Sequence, residues 1–159
     1  MVKKIKWLLL GIVVILIISI TYVVSLVRYA QGEVDAVNNY MDSISALPEV
    51  VSVHGVHRFN GLESYIVASV ERTSGYDAYY FVRDGRVQYY FYTTELINAN
   101  DANVTAQDLV RTGEIINTQL GILEGTPIFE VQIKDEDEDV VHYIVINAET
   151  SDIILKFYI

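Results

Sequence analysis

An uncharged apolar run near the N-terminus constrains the chain more than any other feature. Residues Trp7–Val27, WLLLGIVVILIISITYVVSLV, form a stretch of 21 residues without Asp, Glu, Lys or Arg. An α-helix of this length rises about 32 Å, which matches the hydrocarbon core of a bilayer at about 30 Å. The run therefore predicts a single membrane-spanning helix.

The competing interpretation of this run is a cleaved signal peptide. The apolar region of a signal peptide extends over only about 7–15 residues and ends at a small-residue cleavage site. Here the run is longer and Arg28 follows it directly, so an uncleaved anchor is favoured. Because Lys3, Lys4 and Lys6 precede the span, the positive-inside rule predicts a cytoplasmic N-terminus and an extracellular C-terminal domain.

The charge of the remaining chain limits its partners. Residues 29–159 contain all 21 acidic residues but only seven basic ones, which gives a net charge of about −14. Such a domain is not suited to bind nucleic acid or anionic wall polymers through charge. The chain has no cysteine, which excludes a disulfide framework and is compatible with an exported bacterial protein.

The first part of the external region combines one helix with four strands. Val34, Val37, Met41 and Ile44 recur at three- and four-residue spacing, which predicts an amphipathic helix over 33–47. Segments rich in β-branched and aromatic residues then predict strands over 50–59, 64–72, 78–83 and 86–93. Asp84-Gly85 between the last two favours a two-residue type I′ hairpin turn.

The second part follows the same order after a predicted polar loop at 98–104. Thr105 and Asp108 resemble a capping box, and Gly121 supplies a stop signal. A helix is predicted over 105–120, because residues at three- and four-residue spacing share one helical face. These residues are Leu109, Gly113, Ile116 and Leu120. Strands are predicted over 127–134, 140–148 and 153–159.

The repeated order predicts the domain organisation. Residues 1–28 form a cytoplasmic stub and the anchor, residues 29–104 a first unit and residues 105–159 a second. The predicted fold class is α+β, with each unit a helix packed on an antiparallel β-meander. Units of this size are marginally stable alone, so we expect the two to pack together.

The last predicted hairpin carries a family resemblance. HYIVINAETSDIILKF (142–157) resembles the C-terminal pattern of PepSY domains, although Asn147 stands where Asp is usual and Ser151 where Gly is usual. A basic N-terminus, one membrane helix and two tandem PepSY-like units together resemble the TseB-like proteins of Gram-positive bacteria, described as cell-wall elongation regulators. The block from EGTPIFEVQI (124–133) to INAETSDII (146–154) is most similar to that family.

The resemblance implies a fold and a function. The fold would be two tandem PepSY/cystatin-like units, and the function that of an accessory protein of peptidoglycan synthesis which binds a penicillin-binding protein or another envelope protein. The PepSY pattern also implies an alternative, a regulator or inhibitor of an extracellular peptidase. No catalytic residue belongs to this family, so none is carried over.

The residues themselves give little sign of chemistry. No Gly-x-Ser-x-Gly motif, phosphate-binding glycine loop or Cys/His pair occurs. An EF-hand beginning at Asp135 fails because Val140 and Ile146 occupy its Gly and Glu positions, and His54 with His57 are too few ligands for zinc. We therefore expect no enzyme, cofactor, metal or small-molecule ligand. Plentiful carboxylates keep an enzyme acting on wall glycans as a third hypothesis.

The segment YYFVRDGRVQYYFY (79–92) gives the candidate site. Seven of its fourteen residues are aromatic, and strand alternation places them on both faces. Because Phe81 and Phe91 lack a polar atom, we expect the helix over 33–47 to cover their face. Tyr80, Tyr90 and Tyr92 would then stay partly exposed as a partner-binding surface. The alternative is that the tyrosines fill the core and the seam between the units.

Overall fold

The computed structural model describes residues 19–25, 39–135, 137 and 139–159. Residues Met1–Asn39 and Tyr40–Ile159 form two separate compact units. Of the predicted span Trp7–Val27, only residues 19–25 are described, and they are helical. Within the described residues, no helix is long and apolar enough to cross a membrane. The greater part of the predicted anchor lies outside those residues.

The unit Tyr40–Ile159 contains two antiparallel sheets. It begins with helical residues 40–45, and residues Thr93–Glu95 form a single 3-10 turn. The first sheet has the order β1-β2-β3-β4 and the second β5-β6-β7-β8, with α1 between them in sequence. These elements are β1 (Val50–Asn60), β2 (Ser64–Arg72), β3 (Asp77–Arg83), β4 (Arg86–Tyr92), α1 (Ala99–Leu109), β5 (Glu114–Leu123), β6 (Thr126–Asp135), β7 (Val140–Asn147) and β8 (Ile153–Tyr158). The predicted α+β class is confirmed.

The helix predicted over 105–120 is wrong. α1 instead begins in the predicted polar loop, where Asn98 accepts a hydrogen bond from Asp101 N and Asp101 accepts one from Asn98 N. Residues 114–123 form β5, and a bulge at Ile116 shifts the strand register. This shift gives the apolar residues of a strand a spacing that resembles a helical one.

The two-unit division predicted at residue 104 remains a prediction. Residue 104 lies within α1, and α1 packs against β5 and β6. Each sheet is nevertheless preceded by a helical segment, residues 39–45 before the first and α1 before the second.

Two hairpins share one turn chemistry. Asp84 and Gly85 have φ angles of 52° and 72°, so the predicted turn between β3 and β4 is confirmed. Glu124 and Gly125, with φ angles of 51° and 84°, form the equivalent turn between β5 and β6. The second turn was not predicted, because residues 105–120 were assigned to a helix.

Two apolar clusters cover opposite faces of the first sheet. One contains Phe59, Val67 and Phe81 of that sheet together with buried residues of α1 and the second sheet. The other joins Ile44 of the helical segment to Tyr80 and Val82. The expectation that the helix covers the Phe81 face is therefore wrong. Alternation indicates which residues share a face, but not which part of the chain covers that face.

β1 and β5 meet where the sheets join. His57 Nε2 donates a hydrogen bond to the carbonyl oxygen of Leu120 at 2.9 Å. A Cβ added at Gly121 would lie 2.4 Å from the ring of Phe59. The predicted helix stop at Gly121 is thus a position where a missing side chain leaves room for an aromatic ring.

Candidate functional site

The three predicted site tyrosines differ in exposure. Tyr80 lies on β3, between β2 and β4, and is only 1% exposed. Tyr90 lies on β4, an edge strand, and is 49% exposed, whereas Tyr92 is half-buried. The expectation that Tyr80 stays open to solvent is therefore wrong, because the helical segment 40–45 and the cluster around Ile44 cover its face.

Arg72, at the end of β2, lies among these tyrosines. Its guanidinium carbon is 4.6 Å from the ring centroid of Tyr90, 5.5 Å from that of Tyr92 and 5.9 Å from that of Tyr80. Its Nη1 donates a hydrogen bond to Tyr92 Oη at 3.0 Å. These distances lie within the range of cation–π interactions, which are worth about 0.5–2 kcal/mol each.

Sequence reasoning missed Arg72. It is the last residue of β2, and an arginine at a strand end is an ordinary solvated residue in a sequence pattern. The available signal was the high density of tyrosines in the strands that follow. Arginine stacks on aromatic rings more readily than lysine does.

The environment keeps Arg72 charged. Burial lowers its pKa, but a hydrogen bond to Tyr90 and the nearby Tyr80 and Tyr92 outweigh this, so the pKa of Arg72 is raised. Its Nε is buried without a hydrogen-bond partner in the described structure. The cation is therefore held by both the rings and the hydroxyl groups of the surrounding tyrosines.

A fourth tyrosine extends this surface. Tyr76, in the turn between β2 and β3, is 59% exposed, and its ring lies 5.8 Å from that of Tyr92. The ring centroids of Tyr90 and Tyr92 are 5.7 Å apart, and the two rings meet edge to face. We call Tyr76, Tyr90 and Tyr92 around Arg72 the tyrosine surface.

The tyrosine surface suits binding. Its rings are amphipathic, and their contacts with each other and with Arg72 fix their orientation before any partner arrives. Pre-ordered side chains lose less entropy on association, which leaves more of the contact energy for affinity.

A cleft between the two sheets is the second candidate. It has a volume of about 300 Å³ and is lined by Tyr65, Tyr89, Glu63 and Glu124, among others. Tyr65 Oη donates a hydrogen bond to Glu63 at 2.8 Å, and Arg83 forms an ion pair with the same carboxylate at 2.5 Å. The hydrogen bond from Tyr65, and then that from Arg83, lower the pKa of Glu63. A carboxyl with a lowered pKa is a poor proton donor near neutral pH.

The three histidines lie apart in separate interactions. His54 Nε2 lies 3.7 Å from Asp77 Oδ1, and His57 Nε2 donates a hydrogen bond to the carbonyl oxygen of Leu120. His142 is buried, and its Nε2 lies 3.9 Å from Asp135 Oδ2. Among the residues that the structure describes, no group of three or more His, Asp or Glu side chains is placed to hold a metal ion.

Comparison with known proteins gives a related fold. No family model matches the chain, and no curated protein matches it. The YpmB protein from Bacillus subtilis is 18% identical, with a TM-score of 0.60 over 69% of this chain and 86% of that one. A chain described as a lipoprotein from Clostridium difficile 630 is 11% identical, with a TM-score of 0.42 over 80% of this chain and 92% of that one. The first likeness shows a related fold, and the second is too distant to support an inference.

Proposed function

We propose that this chain is a membrane-anchored extracellular accessory protein of cell-wall elongation in Gram-positive bacteria. It acts by binding a penicillin-binding protein or another envelope protein through the tyrosine surface. The observation that carries the proposal is Tyr90, a half-exposed ring on an edge strand that Arg72 holds in place. The resemblance to TseB-like proteins and the fold related to that of YpmB support it.

The proposed location follows from the sequence. The uncharged run Trp7–Val27 has the length of a membrane helix, and Lys3, Lys4 and Lys6 precede it. The acidic external region then favours a partner with a basic docking face, because complementary charge speeds association. Within this region, Arg72 adds a local positive charge for a hydroxyl, carboxylate or aromatic group of the partner.

Site-specific photo-crosslinking tests the proposal. A photo-reactive phenylalanine analogue, which keeps an aromatic ring at this position, replaces Tyr90 in the full-length chain, in native membranes, and crosslinked proteins are identified by mass spectrometry. The matched control carries the same residue at Val104, which is 56% exposed on α1. We expect a penicillin-binding protein to be captured from position 90 and not from position 104. Capture of the same proteins from both positions, or of none from position 90, contradicts the proposal.

The PepSY resemblance also implies an alternative, a regulator or inhibitor of an extracellular peptidase, and one turn contact is compatible with that resemblance. Asn147 Oδ1 accepts hydrogen bonds from Glu149 N at 2.8 Å and from Thr150 N at 3.1 Å. A carboxylate oxygen at this position would accept the same two bonds, so Asn fulfils the turn role of the Asp that is usual in PepSY domains. The same crosslinking experiment separates the two functions, because the alternative predicts a peptidase at position 90.

A further inference from the structure

β8 is an edge strand of the second sheet, and within the part of the chain that the structure describes its main contacts are with β7. Ile153, Ile154, Leu155, Phe157, Tyr158 and Ile159 are between 41% and 74% exposed. β5, at the opposite edge, contacts α1 and β1. An exposed apolar edge strand offers a template for pairing with another strand, and proteins normally shield such edges.

The backbone of β8 has hydrogen-bonding groups free for such pairing. Val141 and Ile159 exchange both of their backbone hydrogen bonds, at 2.9 and 3.1 Å. Hydrogen-bonded pairs alternate along an antiparallel ladder, and Tyr158 and Lys156 are the partners of His142 and Ile144 in the intervening positions. The N–H and C=O groups of Lys156 and Tyr158 therefore point away from β7.

Acidic residues lie at both ends of this edge. Asp137 and Asp139 are exposed in the turn that precedes β7, next to the end of β8. Glu149 and Asp152 are exposed in the turn that precedes β8. Lys156 is the one basic residue within β8. The edge thus presents an apolar strand with negative charge at its two ends.

The same charges disfavour pairing with a second copy. In an antiparallel pair of β8 strands, the acidic turn at one end of the first strand would meet the acidic turn at the other end of the second. The two Lys156 side chains would also approach one another. Like charges across a strand pair are destabilising.

We propose that β8 binds an extended apolar segment of a partner protein that has Lys or Arg at both ends, and that this segment adds to the second sheet as a further strand. Main-chain hydrogen bonds to Lys156 and Tyr158 supply affinity, and the terminal charges supply specificity. β8 belongs to the second sheet and the tyrosine surface to the first, so this inference does not depend on the proposed function.

Two synthetic peptides provide the probe. One is KKTVTVTVKK and the other is EETVTVTVEE, which keeps the strand and reverses the terminal charge. Binding to the full-length chain is measured by fluorescence anisotropy, and backbone protection by hydrogen–deuterium exchange. We expect the first peptide to bind about tenfold more tightly than the second, with slowed exchange at the amides of Lys156 and Tyr158.

Variants of Lys156 isolate the backbone contribution. Lys156→Pro removes an N–H that faces away from β7, which an edge strand tolerates, whereas Lys156→Thr removes the same charge and keeps that N–H. We expect Lys156→Pro to weaken binding of KKTVTVTVKK about fivefold to tenfold relative to Lys156→Thr. Thermal melts of both variants establish that the sheet is intact.

Reversing the acidic charges beside β8 tests the proposal even if the Lys156→Pro variant does not fold. The double variant Asp137→Lys with Asp139→Lys should reduce or invert the preference for KKTVTVTVKK. Equal binding of the two peptides, or binding without protection of the Lys156 and Tyr158 amides, overturns the inference. Protection of those amides by self-association without peptide also overturns it, because the occupant is then a second copy.

Discussion

The guanidinium carbon of Arg72 lies 4.6 Å from the ring centroid of Tyr90, so a cation on β2 orders an exposed ring on β4. The strand β3 separates the two residues in the sheet. Their contact therefore extends over the face of β3 and joins three strands on the side of the sheet that carries Tyr80.

Replacing Arg72 should affect stability and binding together. Arg72→Leu removes the cation–π contacts and the hydrogen bond to Tyr92, and we expect a loss of about 1–2 kcal/mol in the free energy of unfolding. Crosslinking from position 90 should also weaken. Arg86→Leu, at an exposed position on β4, is the matched control and should change neither quantity. Equal effects of the two substitutions in urea denaturation would argue against the role of Arg72.

Tyr80 and Tyr90 lie on the same face of the first sheet, but we expect Tyr80 to contribute to stability and Tyr90 to partner binding. Tyr80→Ser removes a buried ring and should lower the free energy of unfolding by about 3–5 kcal/mol. Tyr90→Ser should lower it by less than about 1 kcal/mol but weaken partner binding by about 2 kcal/mol or more. Denaturation curves and capture of the partner from native membranes measure the two effects. Unchanged capture with Tyr90→Ser would leave the tyrosine surface without a binding role.

Two glycines form a matched pair for packing at the junction of the sheets. Gly121→Ala places a Cβ against the ring of Phe59, and we expect it to destabilise the fold by about 1–3 kcal/mol. Gly55→Ala, in β1, meets no heavy atom within 4 Å and should change stability by less than about 0.5 kcal/mol. Urea denaturation of both variants checks the difference. Similar curves would mean that Phe59 can move away from Gly121 without loss.

Glu63 should contribute to the acid sensitivity of the fold. Its folded-state pKa is lowered from the usual 4.5, so its interactions with Tyr65 and Arg83 stabilise the fold above that value. This stability is lost as the pH falls below 4.5 through the folded pKa, because the carboxylate takes up a proton. Glu63→Gln should therefore show a smaller loss of stability in this acid range than the parent chain. Parallel pH profiles of melting temperature for the two proteins would contradict the assignment.

The orientation of the chain in the membrane is testable by proteolysis. The sequence around Trp7–Val27 predicts that residues after Arg28 lie outside the cell. A protease added to intact protoplasts should then degrade the bulk of the chain, and antibodies against residues 40–159 measure the loss. Full protection of this region, with degradation only after lysis, would reverse the predicted topology.

The sequence predicted seven of the eight strands because their residues alternate and their turns contain Gly, Asn or Asp. β5 was missed because the bulge at Ile116 disturbs the alternation and gives an apparent helical spacing. α1 was missed because its residues, ANDANVTAQDL, are largely polar. The one sequence signal for this helix is Asn98, which caps its N-terminus. Local pattern therefore identified elements that follow a regular period and failed where a bulge or a polar helix breaks it.

The candidate site was predicted less well than the fold. Tyr90 was identified as exposed, but Tyr80 was placed in the same class because both share a face. Their difference arises from the helical segment 40–45, which covers the face near Tyr80 and not near Tyr90. Arg72 could not be identified because its partners lie on two other strands, and their spatial proximity depends on the strand order.

The opposite burial of Tyr80 and Phe81 has a consequence for how the unit unfolds. These neighbours on β3 belong to different apolar clusters, one with Ile44 and one with the second sheet. Neither cluster can come apart without disturbing the strand that anchors the other. The two sheets should therefore lose structure in one cooperative transition, with equal calorimetric and van't Hoff enthalpies, and not as two independent foldons.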